Sequence, residues 1–341
     1  MRKTGGKNGR IDLRIGIIGC GAIGRKRALA LGNHELVIAV DTSLERAREV
    51  AQLKECSFVS ANYEDALNND DIELIIVSTT NDFLAKITLD AVMARKHVLV
   101  EKPAGRYPEE LIQIIESAKR NNVFVKVGFN HRYHPALLKA KQMVDSQAIG
   151  PLMFIRGRYG HGGRLGYEKE WRAIPKKSGG GELIDQGVHL IDLSRWFLGE
   201  LKLEKGFAHT YYWDMPVDDN AFLMLKSPNE TIAWLHVSCT EWKNLFSFEI
   251  YGETGKLHIE GLGGSYGVEQ LSYYKMHPKM GPPETTIWEF PFTDISWNLE
   301  MDEFIRSIEM KREPEGNIDD AKKALDIVKT VYEQSGFNVN L

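Results

Sequence analysis

The sequence contains few cysteines: Cys20, Cys56 and Cys239 are the three in 341 residues. Their odd number and wide spacing do not suggest a disulfide framework or a zinc site, and they fit a reducing compartment. Long apolar runs are also missing, because no stretch approaches the roughly 20 residues that span a bilayer. Residues 1–10 are basic and glycine-rich but have no apolar segment behind them, so they do not resemble a secretory signal. We expect a cytoplasmic protein that begins with a disordered arm over residues 1–10.

The sequence also lacks a strong excess of charge of either sign, since its formal net charge is −4. This balance argues against nucleic acid as the main partner, and the missing apolar runs argue against a membrane role. With 341 residues, of which 43% are hydrophobic, the chain exceeds the size of one ordinary compact core. Two domains are therefore expected.

The first third of the chain alternates short apolar runs with helical patterns, which is typical of a doubly wound parallel sheet. Thr42 and Glu45 have the spacing of a capping box at the start of the second helix, and Pro108 occupies a helix start. These elements predict a first, α/β domain over residues 11–129. Its predicted strands cover residues 13–18, 36–40, 58–60, 72–78, 97–101 and 124–129.

The rest of the chain has a different rhythm, and we assign residues 130–341 to a second domain. One helix is predicted after Pro135 and another over residues 183–197. Strand-like segments separated by turn signals fill residues 207–290, which predicts an antiparallel sheet. Two helices divided by a break at residues 314–317 complete an α+β pattern.

A glycine-rich turn with the pattern GxGxxG follows the first predicted strand. It contains Gly19, Gly21, Ala22, Ile23 and Gly24. Glycines allow a tight turn in which the backbone approaches a pyrophosphate at the positive end of a helix. Asp41 ends the second strand 22 positions after the first glycine, where an acid binds the ribose 2′-hydroxyl. An acid there repels a 2′-phosphate, so the pattern predicts NAD, while Arg46 keeps NADP as the alternative.

Two further segments carry candidate catalytic side chains. Glu101, Lys102 and Pro103 stand at the end of the fifth strand, the edge of a doubly wound sheet where ligands bind. In the other segment, a helix brings Asp185 and His189 onto one face. Taken singly, these residues also fit a solvated lysine, a helix cap and a histidine buried in the core.

Together the segments resemble the Gfo/Idh/MocA family, the glucose-fructose oxidoreductase and inositol dehydrogenase type. The resemblance rests on GCGAIG, EKP, GFNHRYHP and WRAIPKKSGGGELIDQGVHLIDLSRWFLGE, and it covers nearly the whole chain from Leu13. It implies an NAD-dependent sugar dehydrogenase with a Rossmann domain and a second domain whose large, open, mostly antiparallel sheet assembles dimers or tetramers. The last helix is then a candidate to pack back on the Rossmann domain.

The resemblance also implies a catalytic triad of Lys102, Asp185 and His189. Oxidising a secondary alcohol requires removal of the hydroxyl proton as hydride leaves the same carbon, and histidine titrates near the working pH. His189 is therefore the expected general base, Asp185 orients it, and Lys102 stabilises developing alkoxide charge. Further residues expected at the cofactor are Thr79, Thr80, Asn81 and Glu101, those expected at the substrate are Asn130, Arg132, Tyr133 and Asp192, and no metal is expected.

Two positions depart from the family pattern. Leu84 stands where many relatives have a histidine after the fourth strand, so any contribution from that histidine is absent. Arg95 replaces the usual glycine before Lys96, which predicts strain in a left-handed helix cap. Neither position touches the three catalytic residues.

Residues 156–177 contain seven basic side chains, two acidic ones and five glycines. A flexible glycine-rich backbone with arginine forks suits a diphosphate, so the predicted substrate is a nucleotide-linked hexose oxidised at C3. Its expected ligands here are Arg158, Arg164, Trp171 and Arg172. A solvated basic loop or a subunit contact explains the same charges.

Two alternative functions stay open. Within enzymes, the substrate is a free polyol or sugar of the inositol or glucose type. In another class, the chain is a regulator that binds the dinucleotide without turnover. The presence of both Lys102 and His189 favours an enzyme.

Overall fold

The computed structural model describes residues 12–56 and 58–337, which divide into two compact units. The first contains the residues up to Gly128 and also Trp297–Lys322, while the second contains Phe129–Ser296 and the residues from Lys323 onward. The expectation that residues 130–341 form one domain is therefore corrected. The predicted arm, residues 1–10, lies outside the described residues.

The first unit is built on a six-stranded parallel sheet with the order β3-β2-β1-β4-β5-β6. The order reverses between β1 and β4, and ligands of such sheets bind beyond the carboxyl ends of the strands at this switch point. Every residue of β4 and β6, and all but the first residue of β1, β2 and β5, is buried because helices cover both faces. The strands are β1 (Arg14–Ile18), β2 (Glu35–Val40), β3 (Phe58–Ser60), β4 (Leu74–Val77), β5 (His97–Val100) and β6 (Val125–Val127). The predicted doubly wound sheet is confirmed.

Five helices of the first unit lie between its strands: α1 (Ala22–Leu29), α2 (Leu44–Gln52), α3 (Glu64–Leu67), α4 (Asn81–Met93) and α5 (Ile112–Asn121). A 3₁₀ turn, Pro108–Leu111, leads into α5. The N-cap of α2 is Ser43, whose hydroxyl accepts from the backbone of Arg46. The capping box predicted from Thr42 is wrong, because the Thr42 hydroxyl faces the Asp41 carboxylate instead.

The second unit contains an eight-stranded sheet with the order β14-β13-β12-β11-β7-β10-β9-β8. Neighbouring strands are antiparallel except for the pair β7 and β10. The strands are β7 (Leu152–Gly160), β8 (Lys202–His209), β9 (Asn220–Lys226), β10 (Ile232–Ser238), β11 (Leu245–Gly252), β12 (Gly255–Glu260), β13 (Glu269–Lys275) and β14 (Glu284–Phe290). The large, mostly antiparallel sheet is confirmed.

Three helices of the second unit precede β8: α6 (Pro135–Asp145), α7 (Pro175–Ser178) and α8 (Val188–Leu198). The helix predicted over residues 183–197 is interrupted, because a π-helical turn, Leu183–Gly187, comes before α8. The flexible loop predicted over residues 156–177 is also wrong in part. Its first residues belong to β7, and short 3₁₀ turns follow.

The two faces of the second sheet differ in exposure. In β7, Ile155, Gly157 and Tyr159 are buried while the residues between them are exposed, as strand alternation requires. A Cβ on Gly157 would lie 3.4 Å from the Leu190 side chain, so α8 covers the buried face. The opposite face we call the outer face of the sheet.

The last two helices, α9 (Ser296–Met310) and α10 (Ile318–Ser335), serve different units. Three apolar side chains of α9 enter the core of the Rossmann unit: Met301, Phe304 and Ile305. α10 begins in the first unit and continues in the second, where the Tyr332 hydroxyl donates to the Asp218 carboxylate at 2.7 Å. α9 therefore contributes to the Rossmann core, and the first residues of α10 belong to the same unit. Among all the helices of the described residues, none has the length and apolar character needed to cross a membrane.

Candidate active site

The glycine-rich turn connects β1 to α1 in the first unit. Gly19 has a φ of +96°, and a Cβ on Gly24 would overlap the Gly19 carbonyl oxygen, so both positions require glycine. A Cβ on Gly21 would meet nothing within 4 Å, which leaves open space beside the first residues of α1, Ala22 and Ile23. This cradle fits a pyrophosphate, because backbone N–H groups are exposed at a helix N-terminus.

Asp41 follows β2 and contacts the same turn. Its Oδ2 accepts from Cys20 N and its Oδ1 accepts from Ser43 N, both at 2.8 Å. The carboxylate thus connects the glycine-rich turn to the start of α2. An ionised carboxylate has about four acceptor sites, so capacity remains for the ribose hydroxyls expected there.

Thr79, Thr80 and Asn81 follow β4 at the neighbouring strand end. Thr80 is the N-cap residue of α4, and Asn81 is its buried first residue. The preceding Ser78 donates to the Gly19 carbonyl at 2.7 Å. Residues predicted from two separate segments are therefore brought together around one turn.

The two departures from the family pattern behave as expected. Leu84 is fully buried in α4 and offers no polar group. Arg95 has a φ of +58°, which confirms the left-handed conformation predicted from a missing glycine.

Glu101, predicted as a cofactor ligand, is part of a buried ion cluster. Arg27 of α1 donates its Nε to Glu101 at 2.7 Å and also pairs with Glu300 of α9 at 2.5 Å. Arg27 is 1% exposed, and a Cβ on Gly128 would lie 2.6 Å from its Nη2. The cluster holds the chain where β5 ends, and the next residue is the partly buried Lys102.

His189 lies in the first turn of α8 in the second unit and is 3% exposed. Its ring stacks on that of His131 with centroids 3.7 Å apart and an interplanar angle of 20°. Phe129 and Tyr159 approach it edge-on, with centroids at 6.2 and 6.3 Å. Three rings therefore restrain the plane of the predicted general base.

Asp185 lies in the π-helical turn directly before α8. Its Oδ2 accepts from Arg172 Nε at 2.9 Å, and the carboxylate is the main cause of the raised pKa of Arg172. A π-helical turn is wider than an α-helical one and often marks a functional site. The simple four-residue face predicted for Asp185 and His189 is thus modified, but both stay on one continuous segment.

Asp218 anchors the start of that segment. Its carboxylate accepts from Gly181 N at 2.9 Å and from Leu183 N at 2.8 Å. Burial raises the pKa of Asp218 to about 6, although these donors oppose the shift. Sequence reasoning missed this residue because its partners lie more than thirty positions away.

Sequence reasoning also missed an acid–base pair in the same unit. His161 Nε2 lies 3.5 Å from the carboxylate of Glu182, which is 1% exposed. Burial lowers the pKa of His161, but Glu182 and Asp185 together outweigh burial and the net pKa is raised. Gly163 N donates to His161 Nδ1 at 3.0 Å, so the ring proton is on Nε2 and faces Glu182.

Three predicted substrate residues occupy one buried 3₁₀ turn, Asn130–Tyr133. Arg132 forms a bidentate pair with Asp192 of α8, with Nε and Nη2 at 2.8 and 2.6 Å from the carboxylate oxygens. The structure thus brings Arg132 and Asp192 together as partners of each other.

The basic residues of β7 do not face the general base. Arg158 is exposed and alternates with buried Gly157 and Tyr159, so its side chain lies on the outer face of the sheet, opposite α8. Because His189 contacts Tyr159 on the buried face, the structure does not bring Arg158, a predicted substrate residue, next to the predicted general base. Arg156 lies on the outer face as well, paired with Glu249.

Two further arginines of residues 156–177 have carboxylate partners. Arg164 pairs with Glu170 at 2.6 Å. The Arg172 guanidinium, already bound to Asp185, lies over the ring of Trp171 at 4.7 Å. The described residues contain no group of three or more metal-ligating side chains.

Two models of one family match the chain. Residues 13–129 match the model described as oxidoreductase family, NAD-binding Rossmann fold. Residues 137–258 match the model of the GFO/IDH/MocA C-terminal domain.

Several characterised proteins are similar in sequence. Levoglucosan dehydrogenase of Pseudarthrobacter phenanthrenivorans is 24% identical over 292 residues, which are 72% of this chain and 73% of that protein. Trans-1,2-dihydrobenzene-1,2-diol dehydrogenase of Danio rerio is 28% identical over 65% of this chain and 66% of that protein. Inositol 2-dehydrogenase of Salmonella typhimurium is 28% identical over 56% of each chain. The matched part thus ranges from 56% to 73% of these relatives' length.

Solved structures share the fold. Levoglucosan dehydrogenase in complex with NADH and levoglucosan has a TM-score of 0.84 at 21% identity, covering 95% of this chain and 98% of that one. A 3-ketoreductase from Actinomadura kijaniata, in complex with TDP-benzene and NADP, has a TM-score of 0.77 at 19% identity with the same coverage. Identities this low establish only that the fold is shared. The family is established by the two family models, which match both halves of the sequence. The chain belongs to the Gfo/Idh/MocA oxidoreductases, and its first unit is their NAD-binding Rossmann domain.

Proposed function

We propose that this protein oxidises a ring hydroxyl of a neutral sugar or cyclic polyol in a reaction that depends on NAD. The observation that carries the proposal is His189, a buried histidine whose plane is restrained by three rings and which shares a segment with Asp185. A general base must be held in a defined orientation, and these contacts supply that. The nicotinamide, when bound, accepts the hydride.

His189 takes the hydroxyl proton as hydride leaves the same carbon, which converts a secondary alcohol to a ketone. A buried imidazolium is unfavourable unless an anion lies nearby. In this mechanism Asp185 supplies that anion, and its carboxylate accepts from Arg172 Nε at 2.9 Å.

Lys102 supplies the positive charge in this mechanism. It follows β5 at the carboxyl edge of the Rossmann sheet, where ligands of this fold bind. Its ammonium holds the substrate hydroxyl and stabilises the negative charge that develops on oxygen. The buried cluster of Arg27, Glu101 and Glu300 keeps this strand end in place.

A neutral substrate agrees with the pairing of the positive side chains. Arg132, Arg164 and Arg172 each have a carboxylate partner at 2.6 to 2.9 Å. A diphosphate would compete with these carboxylates for the same guanidinium groups. Levoglucosan and inositol, the compounds in two relatives' names, are neutral rings.

A nucleotide-linked hexose oxidised at C3 is the second candidate. It is favoured by the likeness to the 3-ketoreductase whose complex contains TDP-benzene. It is not supported by Arg158, which lies on the outer face, or by Arg164, which pairs with Glu170.

The test is turnover by the purified protein with NAD and a panel of free sugars, cyclic polyols and nucleotide sugars, followed by absorbance of reduced nicotinamide. We expect His189→Ala and Lys102→Met each to lower turnover at least about a hundredfold while NAD affinity is retained. The exposed His277 provides a matched control, since His277→Ala should leave turnover unchanged.

Each alternative has its own result in this assay. Turnover of nucleotide sugars alone would replace the neutral substrate by the second candidate. Binding of NAD without turnover of any compound would support a dinucleotide-sensing regulator. Normal turnover in His189→Ala would remove that residue from the mechanism.

We also propose that the protein assembles into dimers or tetramers through the outer face of the second sheet. Three large apolar side chains lie on that face on neighbouring strands: Phe154 is 39% exposed, Phe222 37% and Trp234 57%. Apolar side chains grouped on an exposed face mark an association surface.

A further inference from the structure

We propose that His131 is a positioning residue that holds the ring of His189 in its catalytic plane. The inference rests on the proposed function, in which His189 is the general base. His131 was not among the residues predicted for the site. It lies in the 3₁₀ turn Asn130–Tyr133, is 6% exposed, and reaches His189 through ring stacking.

The stack is close and nearly parallel. At a centroid separation of 3.7 Å the two imidazole faces are in van der Waals contact, so His189 cannot rotate about its side-chain bonds without displacing His131. Phe129 meets His189 edge-on at 80°, which restrains the ring from another direction. The orientation of the base therefore depends on a ring that belongs to a different element.

His131 is itself fixed by a directed chain of hydrogen bonds. The Ser296 hydroxyl donates to the Asp294 carboxylate at 2.6 Å, because a carboxylate only accepts. Asn130 Nδ2 then donates to Ser296 Oγ at 3.0 Å, which leaves Asn130 Oδ1 as acceptor for His131 Nδ1 at 3.2 Å. The chain thus places a proton on Nδ1 of His131 and sets the plane of its ring.

The other edges of His131 are packed as well. Tyr159 lies at 5.2 Å, His134 at 5.7 Å and Phe246 at 6.0 Å, all at steep angles. His134 is held in turn by Glu269 at 2.9 Å. Neighbours from two strands and a helix start therefore restrain the ring on which His189 stacks.

The same geometry helps the proton transfer. When His189 gains the substrate proton, its imidazolium faces the π surface of His131, and a cation over an aromatic face is stabilised. The ring, rather than the hydrogen-bonding atoms of His131, is what His189 contacts. A substitution that keeps a ring should therefore keep the function.

Two variants separate the ring from its hydrogen bond. His131→Phe keeps an aromatic face but loses the donor to Asn130, whereas His131→Gln keeps an amide donor but loses the ring. We expect His131→Phe to retain kcat within about threefold, and His131→Gln to lower kcat at least about tenfold with KM for the sugar nearly unchanged. Melting temperature and NAD affinity, measured on both, show that each variant is folded.

The hydrogen-bond chain has its own test. Ser296→Ala removes the hydroxyl that Asn130 binds, and Asn130 in turn binds His131. We expect this variant to lower kcat about threefold. Ser194→Ala is the matched control, because Ser194 is a buried serine on α8 that donates only locally, to the Leu190 carbonyl at 2.7 Å. It should leave kcat unchanged.

A readout independent of turnover comes from NMR of ¹³C-labelled histidine. The His189 Hε1 resonance, identified by its loss in His189→Ala, should move in His131→Gln because the ring current of His131 is removed. An unchanged chemical shift would show that the two rings are not stacked.

Equal kcat in the Gln and wild-type proteins, or equal losses of kcat in the Gln and Phe variants, would overturn the positioning role while leaving the proposed function intact. A wild-type protein without turnover would instead refute the proposed function, and the resonance would still decide on the stack.

Discussion

Replacing Asp218 by asparagine tests how the start of the catalytic segment is held. The carboxylate receives three buried donors: Gly181 N at 2.9 Å, Leu183 N at 2.8 Å and the Tyr332 hydroxyl at 2.7 Å. Asparagine has one acceptor oxygen and one amino group, so at least one donor loses its acceptor. A buried donor without an acceptor costs about 1–3 kcal/mol.

A second effect opposes this loss at neutral pH. Burial raises the pKa of Asp218 from 3.8 to about 6, so the folded state is penalised for holding the ionised carboxylate. The contribution of this group to stability is therefore greatest below pH 3.8 and is lost as the pH rises through about 6. Asparagine does not titrate. The two effects together predict that the stability advantage of aspartate over asparagine is smaller at pH 7.5 than at pH 5, by about 1.4 kcal/mol.

The measurement is urea unfolding of both proteins at the two pH values. At each pH, the free energy of unfolding of the variant is subtracted from that of the wild type. Taking the difference cancels all groups that titrate alike in wild type and variant. Asp214→Asn, in an exposed position of the same loop, is the control and should show no dependence of the difference on pH. The role given to burial would be refuted if the free energies of unfolding of wild type and Asp218→Asn differed by the same amount at both pH values. A smaller difference at pH 5 than at pH 7.5 would refute it as well.

Three further predictions concern the cofactor turn, the buried ion cluster and the outer face. NAD should bind at least about tenfold more tightly than NADP, because a 2′-phosphate beside Asp41 costs at least ~1.4 kcal/mol; calorimetric titration measures both, and a preference for NADP would contradict the assignment. Arg27→Met should lower the free energy of unfolding by about 3–5 kcal/mol, because it leaves Glu101 and Glu300 buried without their cation. Arg25→Met, on the exposed side of α1, is the control and should change this free energy by less than about 0.5 kcal/mol. Equal effects of the two variants in denaturant unfolding would refute the role of the buried cluster. Trp234→Glu should shift the protein towards monomers in sedimentation velocity without loss of circular dichroism, and an unchanged assembly would exclude this face as the interface.

The Rossmann unit was predictable because its signals are local. Continuous apolar runs mark parallel strands, and a GxGxxG turn with Asp41 marks the cofactor edge. The left-handed conformation of Arg95 likewise follows from a short motif.

The basic segment was misread because its glycines have another cause. A Cβ on Gly157 would crowd the side chains of Leu235 and Phe248 at 3.0 and 3.1 Å, and a Cβ on Gly160 would overlap the Ser238 carbonyl of the neighbouring strand. These glycines allow close packing and not flexibility, so a strand was interpreted as a loop. Strand alternation then put Arg158 on the outer face.

Side-chain contacts between residues that are far apart in the sequence could not be predicted from local patterns. Arg27 meets Glu300 across 273 positions, and Asp218 meets Gly181 across 37. Nothing near either residue in the sequence indicates the other. The stacking of His131 on His189, across 58 positions, has the same character.

The placement of α9 has a consequence for how the chain folds during synthesis. The Rossmann core contains Met301, Phe304 and Ile305, so it stays incomplete until these residues have left the ribosome. Until then the surface that α9 covers remains apolar and open, a state prone to association with other chains. The second unit, whose sheet is formed by residues 152–290, can begin to fold first. We therefore expect truncation after residue 296 to leave the NAD-binding unit unfolded although every residue of its cofactor turn is present.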